Sequence, residues 1–254
     1  MSRTFFFVFS LALLTLFSFV RADPADTQPG AAPPDPAKIK LLIITGGHPY
    51  PKTFFNQFDD NHDIVYTSAV EGDFKKGTAS AYDRPDLLTY DAILLYDFQL
   101  NITPDEQKNF HAIFDKGIGV ICLHHALLSY QGWPDYEHAV GGLYLLDFKK
   151  YADKVWPEST YKGDTDMDVI VVDKTHPITA GISDFHMKDE IYRGVHHTDD
   201  IHTVLTCEGN PLVWTRDENN SHVVTLLIGH GPGTWDNPSF QKLLRNSLHW
   251  VARK

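Results

Sequence analysis

Positive charge is scarce in this sequence. The 254 residues carry 22 lysines and arginines against 33 aspartates and glutamates, a formal net charge of −11 with histidine neutral. No basic stripe occurs along the chain, so a nucleic-acid backbone would be repelled over most of the surface. Nucleic acid is therefore not expected as a partner. The chain also lacks an internal repeat, and it lacks the two histidines flanking a glutamate on one helix that mark many zinc enzymes.

Cysteine is scarce as well. Cys122 and Cys207 are the only two, and both lie in apolar runs that predict buried strands. In an oxidising compartment they could pair if their strands were neighbours, because a disulfide needs Cα atoms within about 7 Å. The alternative, two free buried thiols, is favoured. No cysteine follows the N-terminal apolar run, which argues against lipoprotein attachment.

The N-terminus has the pattern of a secretory signal. Arg3 supplies a short positive region, residues 5–20 form an apolar run, and small residues around Ala22 suit a signal peptidase. We expect residues 1–22 to be a signal peptide cleaved after Ala22, so that the mature protein is periplasmic or secreted and keeps no membrane span. The alternative is an uncleaved anchor, since the run is about as long as the shortest membrane helices.

A disordered linker and one globular domain are expected to follow. Residues 23–37 are rich in Pro, Ala and Asp without an apolar period, a composition typical of disordered tethers. Residues 38–254 are enough for one sizeable core, so a single domain is predicted. The sequence leaves homo-oligomer formation open.

Short apolar strands alternate with helices in the first half of this domain. The predicted strands are residues 39–45, 64–68, 92–96 and 119–124. Thr103 begins a helix, because a capping threonine stands before Pro104 and Glu106, and Gly117 ends it. This alternation predicts an α/β fold with a doubly wound, mostly parallel sheet.

Strand patterns dominate the second half. They occur at residues 169–172, 202–206, 212–216 and 223–228. A hairpin turn at residues 218–221 makes the late strands antiparallel. A last helix is predicted from the apolar stripe that begins at Phe240 and returns every three or four residues. Residues 144–166 are aromatic and charged, and no element is predicted there.

Histidine is abundant, with 14 residues. His48 ends the first predicted strand, His124 and His125 end the fourth, and His230 ends a late one. Ligands bind beyond the carboxyl ends of the strands in open α/β sheets, so these imidazoles should converge on one cleft. A lone histidine there is more often structural, but three segments delivering one indicate a site. They would be general bases, or His48, His125 and His230 would hold a divalent metal such as Zn²⁺.

Carboxylate and aromatic side chains add to this cleft. Glu190 is predicted to be a second acid/base, although a solvated acidic turn would have the same sequence. Tyr192 is predicted to contact substrate beside it. Trp133 and Trp235 lie in predicted loops, where stacking on sugar faces and core packing are the two interpretations.

The segment around Cys122 offers a different chemistry. Residues 121–125 superficially resemble the nucleophile elbow of class I glutamine amidotransferases, a strained cysteine flanked by glycines between strand and helix. Here His124 stands at the glycine position, and residues 230–232 are His-Gly-Pro and not His-x-Glu. Cys122 is expected to lie one strand position too early to be exposed. A thiol-dependent amidase using Cys122 is therefore an alternative and not the leading hypothesis.

A series of motifs runs the length of the domain. They are Ile43-Ile44-Thr45-Gly46-Gly47-His48, residues 119–126 with Trp133-Pro134 and Val140-Gly141-Gly142, residues 175–181, Asp189-Glu190-x-Tyr192, Pro211-Leu212-Val213-Trp214 and Gly229-His230. In this order they resemble the trehalose-utilisation (ThuA-like) family of the class I glutamine amidotransferase-like superfamily. The resemblance implies a flavodoxin-like three-layer sandwich without an amidotransferase cysteine. It also implies a link to carbohydrate catabolism, including 3-keto disaccharides in some members.

The resemblance carries four residues over as site residues: His48, His125, Glu190 and His230. The doublet at residues 196–197 and the segment 144–166 have no counterpart in the family pattern. Substrate identity is therefore left open by the sequence.

The leading hypothesis is an exported sugar-processing enzyme, a hydrolase, lyase or isomerase acting on a glycoside or keto-sugar. His125 and His230 would move protons or hold a metal, and Glu190 would be the second acid/base. His48 and His124, with the aromatic residues named above, would bind the carbohydrate substrate. The alternative from another class is a non-catalytic carbohydrate-binding or scaffold domain.

Overall fold

The computed structural model describes residues 37–59, 61–72 and 80–254. The predicted signal peptide, its cleavage after Ala22 and all of the predicted linker except Ala37 lie outside these residues. Within them, no helix is both long and apolar enough to cross a membrane.

The strands of the described residues alternate with helices early in the chain and follow one another later. In chain order they are β1 Ile39–Gly46, β2 Ile64–Val70, β3 Ala92–Asp97, β4 Gly119–Leu123, β5 Gly142–Leu143, β6 Lys149–Tyr151, β7 Lys154–Trp156, β8 Thr160–Val171, β9 Phe185–Arg193, β10 His196–His197, β11 His202–Cys207, β12 Asn210–Glu218 and β13 Ser221–Leu226.

The helices cover the sheet. They are α1 Asn56–Asp59, α2 Pro104–Lys116, α3 Pro134–Val140, α4 Pro232–Trp235 and α5 Pro238–Ala252. The Thr103 side chain accepts from the Glu106 backbone while the Glu106 carboxylate accepts from the Thr103 backbone, so the predicted capping box is formed. Gly117 ends α2 in the left-handed region. The apolar stripe of α5, from Phe240 to Val251, is buried as predicted.

Nine strands of the described residues form one sheet in the order β2-β1-β3-β4-β13-β12-β11-β8-β9. The first five are parallel to one another, and every later pair, beginning with β13 and β12, is antiparallel. The predicted mostly parallel sheet with late antiparallel strands is confirmed. β1, β3 and β4 are continuous apolar runs because both faces of a parallel sheet are buried.

The two cysteines are free and buried. Cys122 lies in β4 and Cys207 ends β11, with β13 and β12 between them in the sheet. Three strand spacings amount to roughly 14 Å, twice the span that a disulfide can bridge. The favoured prediction, free thiols, is confirmed.

The segment that received no predicted element folds into strands. Residues 144–166 contain the hairpin β6–β7 and the first half of β8. β8 pairs with two different strands. Ile170 and Val171 pair with β11, whereas residues 160–169 pair with β9. We call residues 160–169 of β8 together with β9 the β8–β9 arm.

Candidate active site

Three parallel strands deliver imidazoles to one edge of the sheet. His48 follows β1, His124 and His125 follow β4, and His230 lies four residues beyond β13. Their ring centroids are 4.3 Å apart for His48 and His125, 5.3 Å for His124 and His230, and 6.0 Å for His48 and His230. The predicted histidines therefore lie together, beyond the carboxyl ends of the strands where α/β sheets bind ligands.

The turn before His48 depends on glycine. Gly47 has a φ of +72°, and a Cβ built on it would lie 1.7 Å from the carbonyl oxygen of Phe98. No side chain fits there. The backbone after β1 is thus pressed against the end of β3, which fixes where the His48 ring can lie.

His124 occupies the strained position of the turn that follows β4. Its φ is +51°, in the left-handed region that non-glycine residues rarely adopt, and its side chain is fully buried. Nδ1 donates to the carbonyl of Leu227 at 2.7 Å, because a carbonyl can only accept. Nε2 consequently keeps its lone pair, which accepts from the Tyr192 hydroxyl at 2.8 Å. The Tyr192 ring stacks on the imidazole at 4.5 Å.

The elbow position is therefore held by a histidine and not by Cys122. Cys122 lies two residues earlier, inside β4, with none of its surface exposed. Burial raises the pKa of its thiol to about 12. A buried, protonated thiol is a poor nucleophile, so the geometry removes the basis for a thiol-dependent amidase.

Glu190 comes to this site from the β8–β9 arm. Its Oε1 lies 3.4 Å from Nε2 of His124, and 13% of its side chain is exposed. Burial alone would raise the pKa of Glu190, but the neighbouring imidazoles of His124 and His230 outweigh burial and lower it. The carboxylate is thus ionised at neutral pH and reachable from solvent.

The turn at His230 is held from both sides. The Asp189 carboxylate accepts the backbone N–H of Gly229 at 2.7 Å and that of His230 at 3.3 Å. The Gly229 carbonyl accepts from the Tyr96 hydroxyl at 3.1 Å and from the indole N–H of Trp235 at 2.9 Å. The His230 backbone is therefore fixed while its side chain is exposed.

Among the described residues, one group of side chains could hold a metal ion: His124, Glu190 and His230, whose ligand atoms all lie within 4.8 Å of one another. The donor set suits a divalent ion. His124 donates its other ring N–H to a carbonyl, as metal-binding histidines usually do, and Glu190 is ionised. The set differs from the predicted one, in which His48 and His125 accompanied His230.

His125 lies beneath the cleft and not in it. Its ring lies between His48, at 4.3 Å, and Tyr96, at 4.2 Å, and its Nε2 donates to the Tyr96 carbonyl at 3.2 Å. Burial, with the charges of His124 and His48, lowers its pKa to about 2. An imidazole that stays neutral over the whole physiological range is unsuited to the proton transfer predicted for it.

His48 is closer to the solvent side. It is half-buried, and burial together with the charges of His230 and His124 lowers its pKa. The ring is therefore neutral at pH 7 and able to accept a proton. Its Nδ1 is buried without a partner, whereas Nε2 is free of protein hydrogen bonds among the described residues.

Both tryptophans pack in the core, the second of the two interpretations that their sequence allows. Trp235 is 2% exposed and packs on Phe54, and Trp133 is 9% exposed and packs on Phe110. Neither presents a face to a sugar. Trp235 still supports the site, because its indole N–H donates to the Gly229 carbonyl.

The histidine doublet at residues 196–197 forms β10 and pairs with β5. The His196 ring is hydrogen-bonded to the Glu137 carboxylate.

Two residues at the site carried no assigned role in the sequence. Asp189 stood in the motif without one, and Asp164, which lines a cavity with Glu190 and His230, lies in the segment without a predicted element. Gly163 was the available signal, because an isolated glycine within a strand indicates a bulge.

The fold and the turn at His124 indicate the class of protein that this chain is similar to. A protein named as a GMP synthase subunit, from Thermoplasma acidophilum, superposes with a TM-score of 0.51 at 10% identity over 85% of this chain and 95% of that one. At such identity the likeness concerns the fold alone. This chain thus has a fold like that of class I glutamine amidotransferase domains, with His124 at the elbow position.

The chain belongs to the ThuA family, described as trehalose utilisation, whose family model matches residues 43–251. A protein named as ThuA-like from Parabacteroides merdae superposes with a TM-score of 0.71 at 17% identity, covering 85% of this chain and 90% of that one. Another, from Bacteroides uniformis, gives 0.61 at 20% identity, with 87% and 94% covered. No curated protein sequence matches this chain. Family membership indicates a sugar-related role.

Proposed function

We propose that this protein is an exported, metal-assisted sugar-processing enzyme, a hydrolase, lyase or isomerase that acts on a glycoside or keto-sugar. One observation carries the proposal: the lone pair of His124, the ionised Glu190 and the exposed His230 converge within 4.8 Å at the carboxyl edge of the sheet. The family description supplies the sugar. The pattern of residues 1–22 supports export to the periplasm or beyond.

His124, Glu190 and His230 would hold a divalent ion such as Zn²⁺. Three protein ligands leave a position open, where a bound ion polarises a substrate carbonyl or hydroxyl oxygen. The exposed side of this group is the one that a sugar can reach, because His124 closes the other side.

The remaining chemistry falls to His48 and Tyr192. His48 is neutral at pH 7 and 6.0 Å from His230 between ring centroids, so its Nε2 can accept a proton from a sugar carbon or hydroxyl held at the group. Tyr192 fixes the orientation of His124 by its stacked ring, and its hydroxyl, 2.8 Å from Nε2, would give up that hydrogen bond where an ion binds Nε2. His125 supports His48 from beneath and takes no part in proton transfer.

Metal analysis joined to a substrate screen tests the proposal. The mature protein should contain close to one equivalent of divalent metal and convert at least one member of a panel of disaccharides and their 3-keto derivatives. His230→Ala should lose both properties. His62→Ala is the matched control, since His62 is exposed and precedes β2 at the opposite edge of the sheet.

Two results would overturn this function. Sugar binding without turnover at any metal load would favour the non-catalytic carbohydrate-binding domain. Equal metal content in wild type and His230→Ala would contradict the ligand set.

A further inference from the structure

The β8–β9 arm places an exposed aromatic ring next to the site. Tyr161 pairs directly with Tyr192 across the two antiparallel strands, so their side chains lie on the same face. Tyr192 contacts His124 on that face. Tyr161 therefore lies one strand further out than the residue that holds the elbow histidine.

Tyr161 has no protein partner for its ring. Its side chain is 67% exposed, and among the described residues no aromatic ring, cation or hydrogen-bonding group contacts it. Tyr144 packs edge-on against Tyr192 at 4.8 Å. Glu190 lies two residues from Tyr192 on the same face of β9, so Tyr161 is its diagonal neighbour across the two strands.

A β-bulge opens space beside Glu190. Lys162 pairs with Ile191 and Thr165 with Asp189, so Gly163 and Asp164 together face the single residue Glu190. The Thr165 hydroxyl donates to the Lys162 carbonyl at 3.0 Å and fixes the bulge. A Cβ built on Gly163 would find one atom of the described residues within 4 Å, Oε2 of Glu190 at 4.0 Å. Bulges beside active sites commonly re-aim side chains in this way.

The cavity at this bulge is small. Its volume is about 200 Å³, and Asp164, Glu190, His230 and Thr234 are among the residues that line it. Sites for drug-sized ligands begin at about 300 Å³. The cavity therefore accepts one ring of a disaccharide, and the second ring has to lie outside it, along the rim.

We propose that Tyr161 is the stacking platform for the second ring of a disaccharide whose first ring occupies the cavity lined by Asp164 and Glu190. Asp164 accepts hydrogen bonds from hydroxyls of the first ring. This assignment rests on the proposed sugar-processing function and names the residue that would contact the second ring of its substrate. An aromatic face is the surface that an apolar sugar face requires, and Tyr161 presents one already exposed.

Binding measurements separate the two rings. Calorimetric titration of the full mature protein should use trehalose and 3-keto-trehalose as two-ring probes, with glucose and 3-keto-glucose as one-ring probes. Tyr161→Ala should weaken the disaccharide that binds wild type by roughly tenfold, the worth of one stacking contact. It should leave the matching monosaccharide within twofold, and Tyr161→Phe should restore disaccharide affinity.

Two further variants sharpen the test. Phe148→Ala removes an equally exposed ring, 69% against 67%, from the same segment and should leave both affinities unchanged. Gly163→Ala should weaken the monosaccharide as well as the disaccharide, because the methyl group would lie against Oε2 of Glu190, which lines the cavity. Unfolding by urea confirms that each variant is folded.

The affinity measurements test the stacking role of Tyr161 independently of the proposed enzymatic activity. Unchanged disaccharide affinity in Tyr161→Ala, or no binding of either disaccharide to wild type, overturns the platform even if turnover and metal binding are found. Selective loss of disaccharide affinity supports it even if no product forms, and then only the enzymatic proposal fails.

Discussion

The parallel half of the sheet and the β8–β9 arm contribute to the site in different ways. In the parallel half, the backbone fixes the imidazoles: Gly47 has no room for a side chain, and His124 is strained and fully buried. In the arm, Glu190, Tyr161 and the bulge keep surface open to solvent. The histidines are held by the same packing that forms the core, whereas the carboxylate and the rim project from a two-stranded extension.

This difference predicts a division of mutational effects. Changes to the buried backbone and core of the parallel half, as distinct from the exposed His230, should lower the free energy of unfolding. Changes in the arm should lower activity or sugar affinity and leave stability nearly unchanged. A substitution that shows the opposite behaviour in either region would break this division.

Gly47→Ala should be the most destabilising change. The new Cβ would lie 1.7 Å from the Phe98 carbonyl oxygen at a φ of +72°, so either the turn or the end of β3 has to move. A loss of about 4 kcal/mol in the free energy of unfolding is expected, measured by urea denaturation.

Gly132→Ala is the matched control for this change. Gly132 also lies in a turn, has no positive φ, and has open space where the Cβ would be. Its effect should stay within about 0.5 kcal/mol. Equal losses for the two variants would show that the turn at Gly47 can relax and that the parallel half is less rigid than its packing indicates.

Glu190→Gln should lower activity and leave stability nearly unchanged, the opposite of the effect of Gly47→Ala. The substitution keeps the shape of the side chain and removes the charge that faces His124 and His230, so activity on the sugar identified by the screen should fall at least about 100-fold. The free energy of unfolding should change by less than about 0.5 kcal/mol, since the side chain is partly exposed at the end of an extension. A stability loss comparable to that of Gly47→Ala would assign Glu190 to the scaffold.

The same two regions differ in how well the sequence predicts them. β1, β3 and β4 are continuous apolar runs, α2 has a complete capping box, and α5 has an unbroken apolar stripe, so local pattern and tertiary packing agree. β9 has the sequence Phe-His-Met-Lys-Asp-Glu-Ile-Tyr-Arg, in which charged residues interrupt the apolar positions. Its strand character comes from pairing with β8, which no local pattern reveals.

The sequence predicts which turns meet at the candidate site, but it does not predict which side chains face the cleft. The meeting of His48, His124 and His230 follows from their places after parallel strands. Which of His124 and His125 faces the cleft does not, because the left-handed φ of His124 breaks the two-residue alternation of the strand. The approach of Glu190 depends on the contact of β9 with α4 and with the turn at Gly229, which no local sequence pattern predicts.

Asp97 offers a pH-dependent test of the parallel half. It ends β3, is 1% exposed, and neither carboxylate oxygen has a hydrogen-bond partner among the described residues. Burial and the charge of Glu71 raise its pKa to about 8. The folded protein therefore keeps a proton that the unfolded chain, with a pKa of about 4, has released.

The sign of the effect follows from this difference. The free energy of unfolding should fall as pH rises from about 4 towards the folded-state pKa of about 8 and level off above it. Asp97→Asn should remove this slope, so the variant gains stability over wild type as pH rises, by about 1.4 kcal/mol for each pH unit between the two pKa values. Urea denaturation at pH 5 and pH 8 gives the difference. Parallel curves for the two proteins would show that Asp97 is solvated.

Cys122→Ala should have the smallest effect. It tests directly whether Cys122 is a structural or a catalytic residue. The thiol is fully buried, with the Tyr136 hydroxyl 3.9 Å from its Sγ, so replacing it by a methyl group leaves a small cavity. A loss of about 1 kcal/mol in stability is expected. Activity and metal content should stay at wild-type values, because the elbow two residues later carries His124. Loss of turnover in a variant that folds normally would restore the thiol as a nucleophile.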